Sequence, residues 1–428
     1  MERTSIAPNV TLSPRLLART VTVILAGGKG ERLWPLTQHR SKPSVPFGGK
    51  YRIIDFTLSN CINSGFRRIY VLTQYKSQSL HEHLQHGWQF LSPQLGEFIT
   101  AVPPQLLKQD RWYEGTADAI YQNLVHLESQ DPHFVVVLSG DHIYRMDYSS
   151  MMRFHLEHGA DVTISAMPVP RQEATRFGVM GINDKRQITD WVEKPKIPPG
   201  MPENPELSLA NMGIYLFNAD VLFRFLRQDA ASDGSHDFGR DVIPNMLNAG
   251  MKVLAFPFTD ESNATIPYWR DIGTLDSYYE ATMDLISVTP HFNLYDRSWP
   301  VWTYQVQRGP AKTVFNDIGF RQGLVVDSLI CDGAIVSGAS VARSILGPGV
   351  RIHSFSQVTD CILMDGVEVG RHARIRRAIV DKDVVIPPFT EIGYDLVEDA
   401  KRFTVSEGGI VAIPKGAVLP EIPAKKGG

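Results

Sequence analysis

A glycine-rich loop near the N-terminus contains residue types that bind a phosphate chain. Gly27-Gly28-Lys29-Gly30 directly follows the apolar, β-branched run 21–25, which predicts a turn from a buried strand into a helix. Backbone N–H groups at such a turn form an anion site, and Lys29 and Arg32 would add positive charge for a triphosphate. The loop lacks the ending of a Walker A loop, and Leu33 replaces the third glycine of a dinucleotide fingerprint. Taken alone, the glycines could equally form a tight turn with solvated cations.

Three charged residues far apart in the sequence could serve a metal-bound triphosphate. Lys42 precedes the stiff Pro43, and a lysine there could neutralise charge that builds up on leaving pyrophosphate. Mg²⁺ is held by one or two carboxylates together with substrate phosphates. Asp141 follows a glycine at a strand end, and with Asp271 it would form a metal-binding pair suited to phosphoryl transfer. Each residue alone could instead be a surface lysine, a helix cap or a turn residue.

A second candidate site follows the alternating run 188–192. Lys194 at a rigid strand end could bind a sugar phosphate as a point charge, and Glu193 could accept hydrogen bonds from sugar hydroxyls. The alternative is an exposed salt bridge, which is the usual fate of a Glu-Lys pair.

These residues need a scaffold, and the first two thirds of the chain predict one. Apolar runs at 21–25, 68–73, 134–138, 161–167 and 213–217 alternate with helical stretches at 118–128 and 148–158. This alternation predicts an α/β fold with a Rossmann-like, mostly parallel sheet and helices on both faces. Ligands of such sheets bind beyond the carboxyl ends of the strands, and the candidate residues follow predicted strands.

The remainder of the chain repeats itself. Four segments, which begin about 16 to 17 residues apart, align on one another: 328–334, 344–350, 361–367 and 378–384. This period predicts a hexapeptide-type, left-handed parallel β-helix with no helices beyond about Thr313 and with Ile352, Val369 and Ile386 in its interior. We therefore expect a mobile tail at 1–18, a nucleotidyltransferase domain at 19–290, a connector at 291–312 and the β-helix at 313–428.

Composition excludes several classes of protein. The 428 residues are 43% hydrophobic and 21% charged with a net charge of −3, which is typical of a globular protein and not of a nucleic-acid or membrane-surface binder. No apolar run approaches the length of about 20 residues that a membrane span needs. The odd, widely spaced Cys61, Cys331 and Cys361 fit neither a disulfide framework nor zinc, so we expect a cytoplasmic protein.

The candidate residues occur together and in an order that resembles the sugar-nucleotide pyrophosphorylases, most closely the bacterial ADP-glucose pyrophosphorylases. The similarity covers nearly the whole chain and is carried by the stretches 25–32, 42–43, 47–50, 52–56, 58–60, 63–65, 73–75, 112–119, 140–144, 177–180, 193–195, 235–239 and 268–274. The resemblance implies transfer of AMP from ATP to α-D-glucose 1-phosphate, with Mg²⁺, to give ADP-glucose and pyrophosphate. It also implies a supply of ADP-glucose to glycogen synthesis, allosteric regulation and a homotetramer.

The resemblance assigns roles to individual residues. It makes Arg32, Lys42, Asp141 and Asp271 catalytic, with the two aspartates as metal ligands. It places ATP against Leu25, Ala26, Gly27, Gly28, Lys29, Gly30, Gln74, Gly115 and Thr116. It places glucose 1-phosphate against Tyr113, Gly178, Glu193, Lys194 and Asn211, the last standing where close relatives usually carry serine. Asparagine keeps both a hydrogen-bond donor and an acceptor at that position.

The effector residues depart from part of the family. Members activated by fructose 1,6-bisphosphate carry lysine where this chain has His39 and histidine where it has Pro46. A neutral imidazole is the weaker anion partner near pH 7. His39, Arg40, Arg52 and Lys382 are the predicted effector contacts, and the residues leave the identity of the effector open.

Three other functions stay open at this point. A transferase that uses UTP or dTTP for envelope sugars would share most of these motifs. An acyltransferase would use the β-helix, where His353 and His372 are the only obvious bases. A non-catalytic regulatory subunit would have lost the metal or phosphate ligands, whereas Lys42, Asp141, Lys194 and Asp271 are all present.

Overall fold

The central sheet of the N-terminal domain consists of strands that are buried on both faces. The computed structural model describes residues 12–105, 112–258, 268–317 and 321–420. Within these ranges the strands of the N-terminal domain are β1 (Thr20–Ala26), β2 (Pro46–Phe47), β3 (Tyr51–Arg52), β4 (Arg68–Thr73), β5 (Phe98–Val102), β6 (Phe134–Ser139), β7 (His142–Tyr144), β8 (Val162–Pro170), β9 (Gly178–Ile182), β10 (Ile188–Glu193), β11 (Leu207–Asn218), β12 (Val253–Pro257) and β13 (Trp269–Asp271).

Helices cover both faces of this sheet. They are α1 (Pro14–Leu17), α2 (Ile53–Asn63), α3 (Gln78–Gly87), α4 (Thr116–Tyr121), α5 (Leu124–Glu128), α6 (Tyr148–Glu157), α7 (Ala219–Asp229), α8 (Ile243–Asn248) and α9 (Leu275–Asp284). Alternation along β1 sends Val21 and Val23 into one core and Ile24 into a second core on the opposite face. The predicted α/β fold is therefore confirmed.

The sheet order explains why one edge collects the candidate residues. β12, β8, β6, β1, β4 and β5 all run in the same direction, and β11 lies antiparallel between β8 and β6. Ile214 of β11 pairs with Leu138 near the carboxyl end of β6, so the first half of β11 extends beyond that edge. The run 213–217 thus belongs to the one antiparallel strand among these described strands, which brings Asn211 towards the ligand side.

Two local expectations for this domain need correction. The helical stretch 118–128 is divided into α4 and α5, because Asn123 leaves helical geometry and donates from its side chain to the Ala119 carbonyl and the Tyr113 hydroxyl. Within the predicted tail, residues 14–17 form α1, whose leucines pack against the core. Residues 1–11 lie outside the described ranges.

No helix in the described part of the chain is long and apolar enough to cross a membrane.

The C-terminal domain is a parallel β-helix with the predicted period. Its strands pair in register at separations of 16 and 17 residues, as in Ile335 to Arg351 to Glu368. Ile352, Val369 and Ile386 follow one another in the fully buried interior, as predicted. The strands are β14 (Lys312–Val314), β15 (Asn316–Asp317), β16 (Arg321–Gln322), β17 (Leu324–Val326), β18 (Leu329–Ile330), β19 (Ile335–Ser337), β20 (Ser340–Ala342), β21 (Ile345–Leu346), β22 (Arg351–Ile352), β23 (Gln357–Leu363), β24 (Glu368–Val369), β25 (Arg374–Val380), β26 (Val385–Ile386), β27 (Glu391–Ile392), β28 (Thr404–Val405) and β29 (Val411–Ile413).

The expectation that helices disappear beyond Thr313 is wrong at one point. Asp395 caps α10 (Leu396–Ala400) by accepting from the backbone N–H groups of Val397 and Glu398. Such a cap satisfies donors that a one-turn helix leaves open, so the short helix can form between β27 and β28.

The corners of the β-helix are chemically distinct. Residues with left-handed backbone recur once per coil in a charged series, an aromatic series and a glycine-rich series: Asp327, Arg343, Asp360 and Arg377; Phe355, His372 and Phe389; Gly333, Gly349, Gly366 and Asp383. The glycine-rich corner faces the connector, since a Cβ on Gly349 would lie 2.4 Å from Nη1 of Arg308. The left-handed φ favours glycine at this corner, whereas the end of the Arg308 side chain could move to make room.

The two domains share one apolar core. Ile362, Met364 and Ile379 of the β-helix belong to the same buried cluster as Phe47 and Tyr278 of the N-terminal domain. The connection between α9 and β14 contains no helix or strand. The shared core holds the β-helix against the N-terminal domain.

Candidate active site

An open cleft of about 1950 Å³, its mouth included, lies at the carboxyl edge of β1, β4 and β6. Thirteen of the predicted site residues line it: Leu25, Ala26, Gly27, Gly28, Lys29, Gly30, Arg32, Lys42, Gln74, Tyr113, Gly115, Thr116 and Asp141. These residues come from five separate stretches of sequence, and the sheet topology alone brings them together.

The glycine loop forms one wall of the cleft. A Cβ on Gly28 would meet no atom within 4 Å, whereas one on Gly27 would lie 3.1 Å from Cβ of Gln74. Gly30 has a left-handed φ of 64° and packs against Lys42, so this turn needs glycine. The helix expected after the loop is only the three-residue 3₁₀ turn Glu31–Leu33. Backbone amides and side chains, not a long helix dipole, therefore supply the positive potential.

Lys42 lies between the two predicted metal ligands. Its Nζ donates to Oδ2 of Asp141 and to Oδ1 of Asp271, at 3.0 Å each, and its side chain is only 8% exposed. Lys42 begins the 3₁₀ turn Lys42–Ser44, which Pro43 favours at its first positions. Antiparallel pairing of β13 with β7 places Asp271 opposite His142 and thus beside Asp141.

The electrostatics of this cluster favour the charged form of Asp141. Burial raises the pKa of Asp141, but the Lys42 ammonium, His142 and the Ser139 hydroxyl together hold that pKa well below its usual range. Burial likewise lowers the pKa of Lys42, and the two aspartates reverse that effect and raise it. The result is a compact hydrogen-bonded triad in which the charged forms of Lys42 and Asp141 stabilise each other.

The same cluster meets the requirements of a divalent cation. Asp141, His142 and Asp271 each offer one ligand atom, and these atoms lie within 4.8 Å of one another. Two carboxylates at the edge of a phosphate-binding cleft are the ligand set that Mg²⁺ uses together with substrate oxygens. Nε2 of His142 lies 3.4 Å from Oδ1 of Asp141, and its Nδ1 is buried without a hydrogen-bond partner.

The predicted sugar residues form a second group next to the cleft. A Cβ on Gly178 or on Gly239 would lie 2.6 Å or 2.4 Å from Oε2 of Glu193, so the carboxylate is enclosed by two glycines. Burial raises the pKa of Glu193, and Lys194 opposes this shift. Lys194 has a left-handed φ of 47°, and its Nζ lies 3.3 Å from Oε1 of Glu193 with a side chain 55% exposed.

Asn211 shapes the strand that carries it. Its Nδ2 donates to the Tyr215 hydroxyl at 2.7 Å, and its Oδ1 accepts from the Gly213 amide at 2.9 Å. The register of β11 shifts between Asn211 and Tyr215, where Gly213 adopts a left-handed φ of 70°. Asn211 therefore stabilises a bulge at the ligand edge of the sheet and keeps only part of its hydrogen-bonding capacity for a ligand.

Tyr75, Trp112 and Asp237 also line the cleft, although sequence reasoning assigned them no binding role. Tyr75 and Trp112 stack with centroids 5.7 Å apart, and Nζ of Lys29 lies 5.2 Å from the Tyr75 ring centroid. Asp237 accepts from the Thr116 hydroxyl at 2.9 Å. All three residues lie in stretches that carried the family resemblance. Each contacts a partner that is distant in the sequence, so no local pattern indicates the contact.

The four predicted effector residues lie in three different environments. Arg52 and Lys382 line a pocket between the domains, together with Lys50, Arg308 and Asp365. Arg40 is instead paired with Asp381 of the β-helix at 2.9 Å, and both side chains are nearly fully buried. His39 is exposed and belongs neither to the lining of that pocket nor to the buried pair of Arg40 and Asp381.

Fold and cleft together define a nucleotidyl transferase. Family models described as "Nucleotidyl transferase" and "GlmU-like, C-terminal hexapeptide" match residues 21–288 and 309–413. The chain is 52% identical over 94% of its length to the glucose-1-phosphate adenylyltransferase of Rhodopirellula baltica, of which it covers 92%. It is 53% identical over 92% of its length to glucose-1-phosphate adenylyltransferase 2 of Vibrio cholerae, of which it covers 98%. The chain belongs to the glucose-1-phosphate adenylyltransferase family, which confirms the resemblance found in the sequence.

Proposed function

We propose that this protein transfers the adenylyl group of ATP to α-D-glucose 1-phosphate and releases pyrophosphate. The observation that carries the proposal is the convergence of Lys42, Asp141 and Asp271 at the inner end of a glycine-walled cleft. The printed names of relatives that match over nearly the full length specify the adenylyl donor and glucose 1-phosphate. A UTP- or dTTP-using transferase is not favoured by these relatives.

The reaction is a displacement at the α-phosphorus of ATP. A phosphate oxygen of glucose 1-phosphate attacks that phosphorus, and the bond to the bridging oxygen breaks so that pyrophosphate leaves with its electron pair. The chain has no covalent chemistry to supply, so it acts by positioning and charge stabilisation. Gly28 leaves room beside the loop backbone for the triphosphate, and Lys29 and Arg32 provide positive charge at its wall.

The cluster around Lys42 would neutralise the reacting phosphates. Asp141 and Asp271 would hold Mg²⁺, which when bound supplies a divalent positive charge to the triphosphate. Lys42 donates to both aspartates, so its ammonium lies close to the oxygens that would ligate the ion. It is placed to stabilise negative charge on the phosphates as the leaving group departs.

Substrate recognition follows the two groups of cleft residues. Gln74, Gly115 and Thr116 line the same cleft as the glycine loop, and the family resemblance assigns them to the adenine. Glu193 and Lys194, at the end of β10, would hold the sugar hydroxyls and phosphate, with Gly178 leaving space. Tyr113 and Asn211 complete this proposed glucose 1-phosphate site.

The regulatory and cellular parts of the proposal rest on the family. We propose small-molecule effectors for the pocket lined by Arg52 and Lys382, a homotetramer, and a role in supplying ADP-glucose to glycogen synthesis. Three free cysteines among the described residues are compatible with the proposed cytoplasmic location. The domain limits 19–290 and 313–428 belong to the same proposal.

A pyrophosphate-release assay over a matrix of substrates tests the function. Purified protein with Mg²⁺ is given ATP, UTP, dTTP, CTP or GTP, each with several sugar 1-phosphates. We expect the fastest release with ATP and glucose 1-phosphate, and a clear preference for UTP or dTTP would contradict the adenylyl assignment. Repeating the best pair with pyruvate, fructose 6-phosphate, fructose 1,6-bisphosphate and AMP identifies the effector.

Two controls address the remaining alternatives. The protein is incubated with acetyl-CoA and each sugar phosphate, and the absence of acetylated product is expected. The cluster of Lys42, Asp141 and Asp271 is complete, so we expect turnover by the isolated chain without a second kind of subunit. A chain that binds ATP but shows no turnover under any condition would instead be a regulatory subunit.

A further inference from the structure

Residues 235–238, here called the 235–238 loop, connect the two walls of the cleft. On one side the Thr116 hydroxyl donates to Asp237 and accepts from the Phe238 amide. On the other side the loop continues into Gly239, which encloses the Glu193 carboxylate and whose carbonyl accepts from Trp191. The proposed nucleotide and sugar sites therefore share one segment of backbone.

His236 connects this loop to the start of α4. Its carbonyl accepts from the amides of Ala117 and Asp118 at the start of α4, at 2.9 Å and 3.3 Å. A Cβ on Gly115 would lie 2.2 Å from the same carbonyl oxygen, so only glycine permits this approach. The backbone of His236 thus holds the turn 115–118 directly, and any shift of His236 would move that turn.

The conformation of His236 is strained and is held by a buried acid. Its φ of 53° lies in the left-handed region, which is sparsely populated for a residue of this size. Nδ1 of His236 lies 2.9 Å from Oδ2 of Asp229, whose side chain is 3% exposed at the end of α7. Oδ1 of Asp229 is buried without a hydrogen-bond partner, so the histidine is the main polar contact of that carboxylate.

The far side of the loop has its own anchor. Asp241 accepts from the Ser235 hydroxyl at 2.6 Å and from the Asp237 amide at 3.0 Å. This contact ties the loop to the helical turn Phe238–Val242 that directly follows it, and not to α4. The chemistry proposed for the cleft uses neither Asp229 nor His236, and yet both are partly or fully buried next to it.

We propose that Asp229 and His236 form a positioning pair that sets the nucleotide wall and the sugar wall of the cleft in register. The inference rests on the proposed function and adds two residues to it. His236 touches no substrate in this scheme. It acts through Gly115 and Thr116 on one side and through Asp237 on the other.

Two substitutions separate the side chain of His236 from its backbone strain. Glycine tolerates the left-handed φ but removes the contact to Asp229, whereas asparagine tolerates the same φ and keeps a donor near the position of Nδ1. We expect His236→Gly to lower kcat/KM by about 10- to 100-fold, because misplaced binding groups of this kind cost that much. We expect His236→Asn to stay within about threefold of the wild type. Failure of asparagine to rescue would overturn the positioning role.

The decisive measurement is the KM of each substrate. A pair that sets both walls predicts that His236→Gly raises the KM for ATP and the KM for glucose 1-phosphate in parallel. A rise for only one substrate, or lower thermal stability with both KM values unchanged, would overturn the inference. If the glycine variant does not fold, Asp229→Asn keeps the shape of the acid and weakens the pair. It should raise both KM values by a smaller common factor, and unchanged values would again contradict the proposal.

A matched control and a binding measurement complete the experiment. His372 also has a left-handed φ, of 61°, but lies exposed on the β-helix, and His372→Gly should leave both KM values unchanged. If wild-type protein releases no pyrophosphate from ATP and glucose 1-phosphate, the proposed function has failed, and calorimetric titration with MgATP then tests the pair alone. Equal affinity of wild type and His236→Gly for MgATP would overturn the inference independently of turnover.

Discussion

The nucleotide cleft and the pocket between the domains both contain clustered positive charge, but their cations are partnered differently. In the cleft, Lys29 is more than half exposed and its nearest acid, Glu31, lies 3.8 Å away. In the pocket, Nζ of Lys382 donates to Asp365 at 2.7 Å and is largely buried. Burial also lowers the pKa of Lys382 and of Arg52, and their acidic neighbours oppose that shift.

The difference separates a ready site from a site that must rearrange. At the glycine loop an incoming triphosphate meets the exposed Lys29 and an open glycine wall, so contact there breaks few existing pairs. Lys42, deeper in the cleft, is already paired with Asp141 and Asp271. An anionic effector in the pocket would compete with Asp365 for Lys382, and Arg40 is already committed to Asp381. The pocket therefore holds Lys382 in an internal pair with Asp365, which an anionic ligand would have to displace.

The largest expected effect lies in the cleft. Asp141→Asn removes a carboxylate from the Lys42 cluster and should lower kcat by about 10²- to 10³-fold, the range found when one preorganised electrostatic group is lost. Pyrophosphate release under saturating substrates measures it. Asp184→Asn, in an exposed turn of the same domain, is the control and should leave kcat unchanged. Normal turnover of Asp141→Asn would show that the proposed metal role is wrong.

The next largest effect tests whether the domains are held by buried charge. Asp381→Asn leaves Arg40 as a buried cation without its acid and should lower the free energy of unfolding by about 3 kcal/mol. Denaturant unfolding measures the loss. Asp360→Asn breaks the exposed pair with Arg343 and should cost less than about 1 kcal/mol. Equal costs for both variants would contradict the contrast between buried and exposed pairs.

A smaller effect concerns the sugar side of the cleft. Lys194→Ala should raise the KM for glucose 1-phosphate about tenfold with little change in kcat, because a remote phosphate contact acts equally in the ground and transition states. Initial rates over a range of glucose 1-phosphate provide both constants. Lys196→Ala, two residues further along the chain and also exposed, is the matched control. A fall in kcat at unchanged KM would place Lys194 in the reaction itself.

The smallest effect is expected in the pocket. Lys382→Gln removes a cation that is already paired with Asp365, so the gain from an anionic effector is reduced by only about 0.5–1 kcal/mol, or about two- to fivefold in its half-saturating concentration. The most active effector of the assay matrix serves as the probe. Lys401→Gln, on an exposed helix of the β-helix domain, should have no effect. A complete loss of the response to the effector would contradict the view that the pair with Asp365 limits the contribution of Lys382.

Local patterns predicted much of this molecule. The strand before the glycine loop, the strand 68–73 and the buried positions Ile352, Val369 and Ile386 are visible because alternation and a 16–17-residue period are properties of adjacent sequence. Asp141 and Asp271 were identified by residue type and family stretch. In the structure both aspartates accept a hydrogen bond from Lys42, and their catalytic roles stay proposals.

Contacts between distant segments explain what sequence reasoning missed. The antiparallel direction of β11 depends on its pairing with β6 and β8, and nothing within residues 213–217 encodes it. Asp237 received no role because its partner Thr116 is more than a hundred residues away. His39 looked equivalent to Arg40 as a neighbour in sequence, but one side chain points to solvent and the other is buried against the β-helix.

The regular stacking of the β-helix corners sets the position of each coil along the helix axis. Each coil adds one strand spacing of about 4.8 Å along the axis, and the left-handed corners repeat in step with it. Asp381 lies in a late coil, and it must reach Arg40, which belongs to the other domain. Deleting or duplicating one coil of 17 residues before Asp381 would leave the repeat of the remaining corners intact. It would move Asp381 by one strand spacing away from Arg40. The number of coils before Asp381 is thereby limited by a partner outside the repeat.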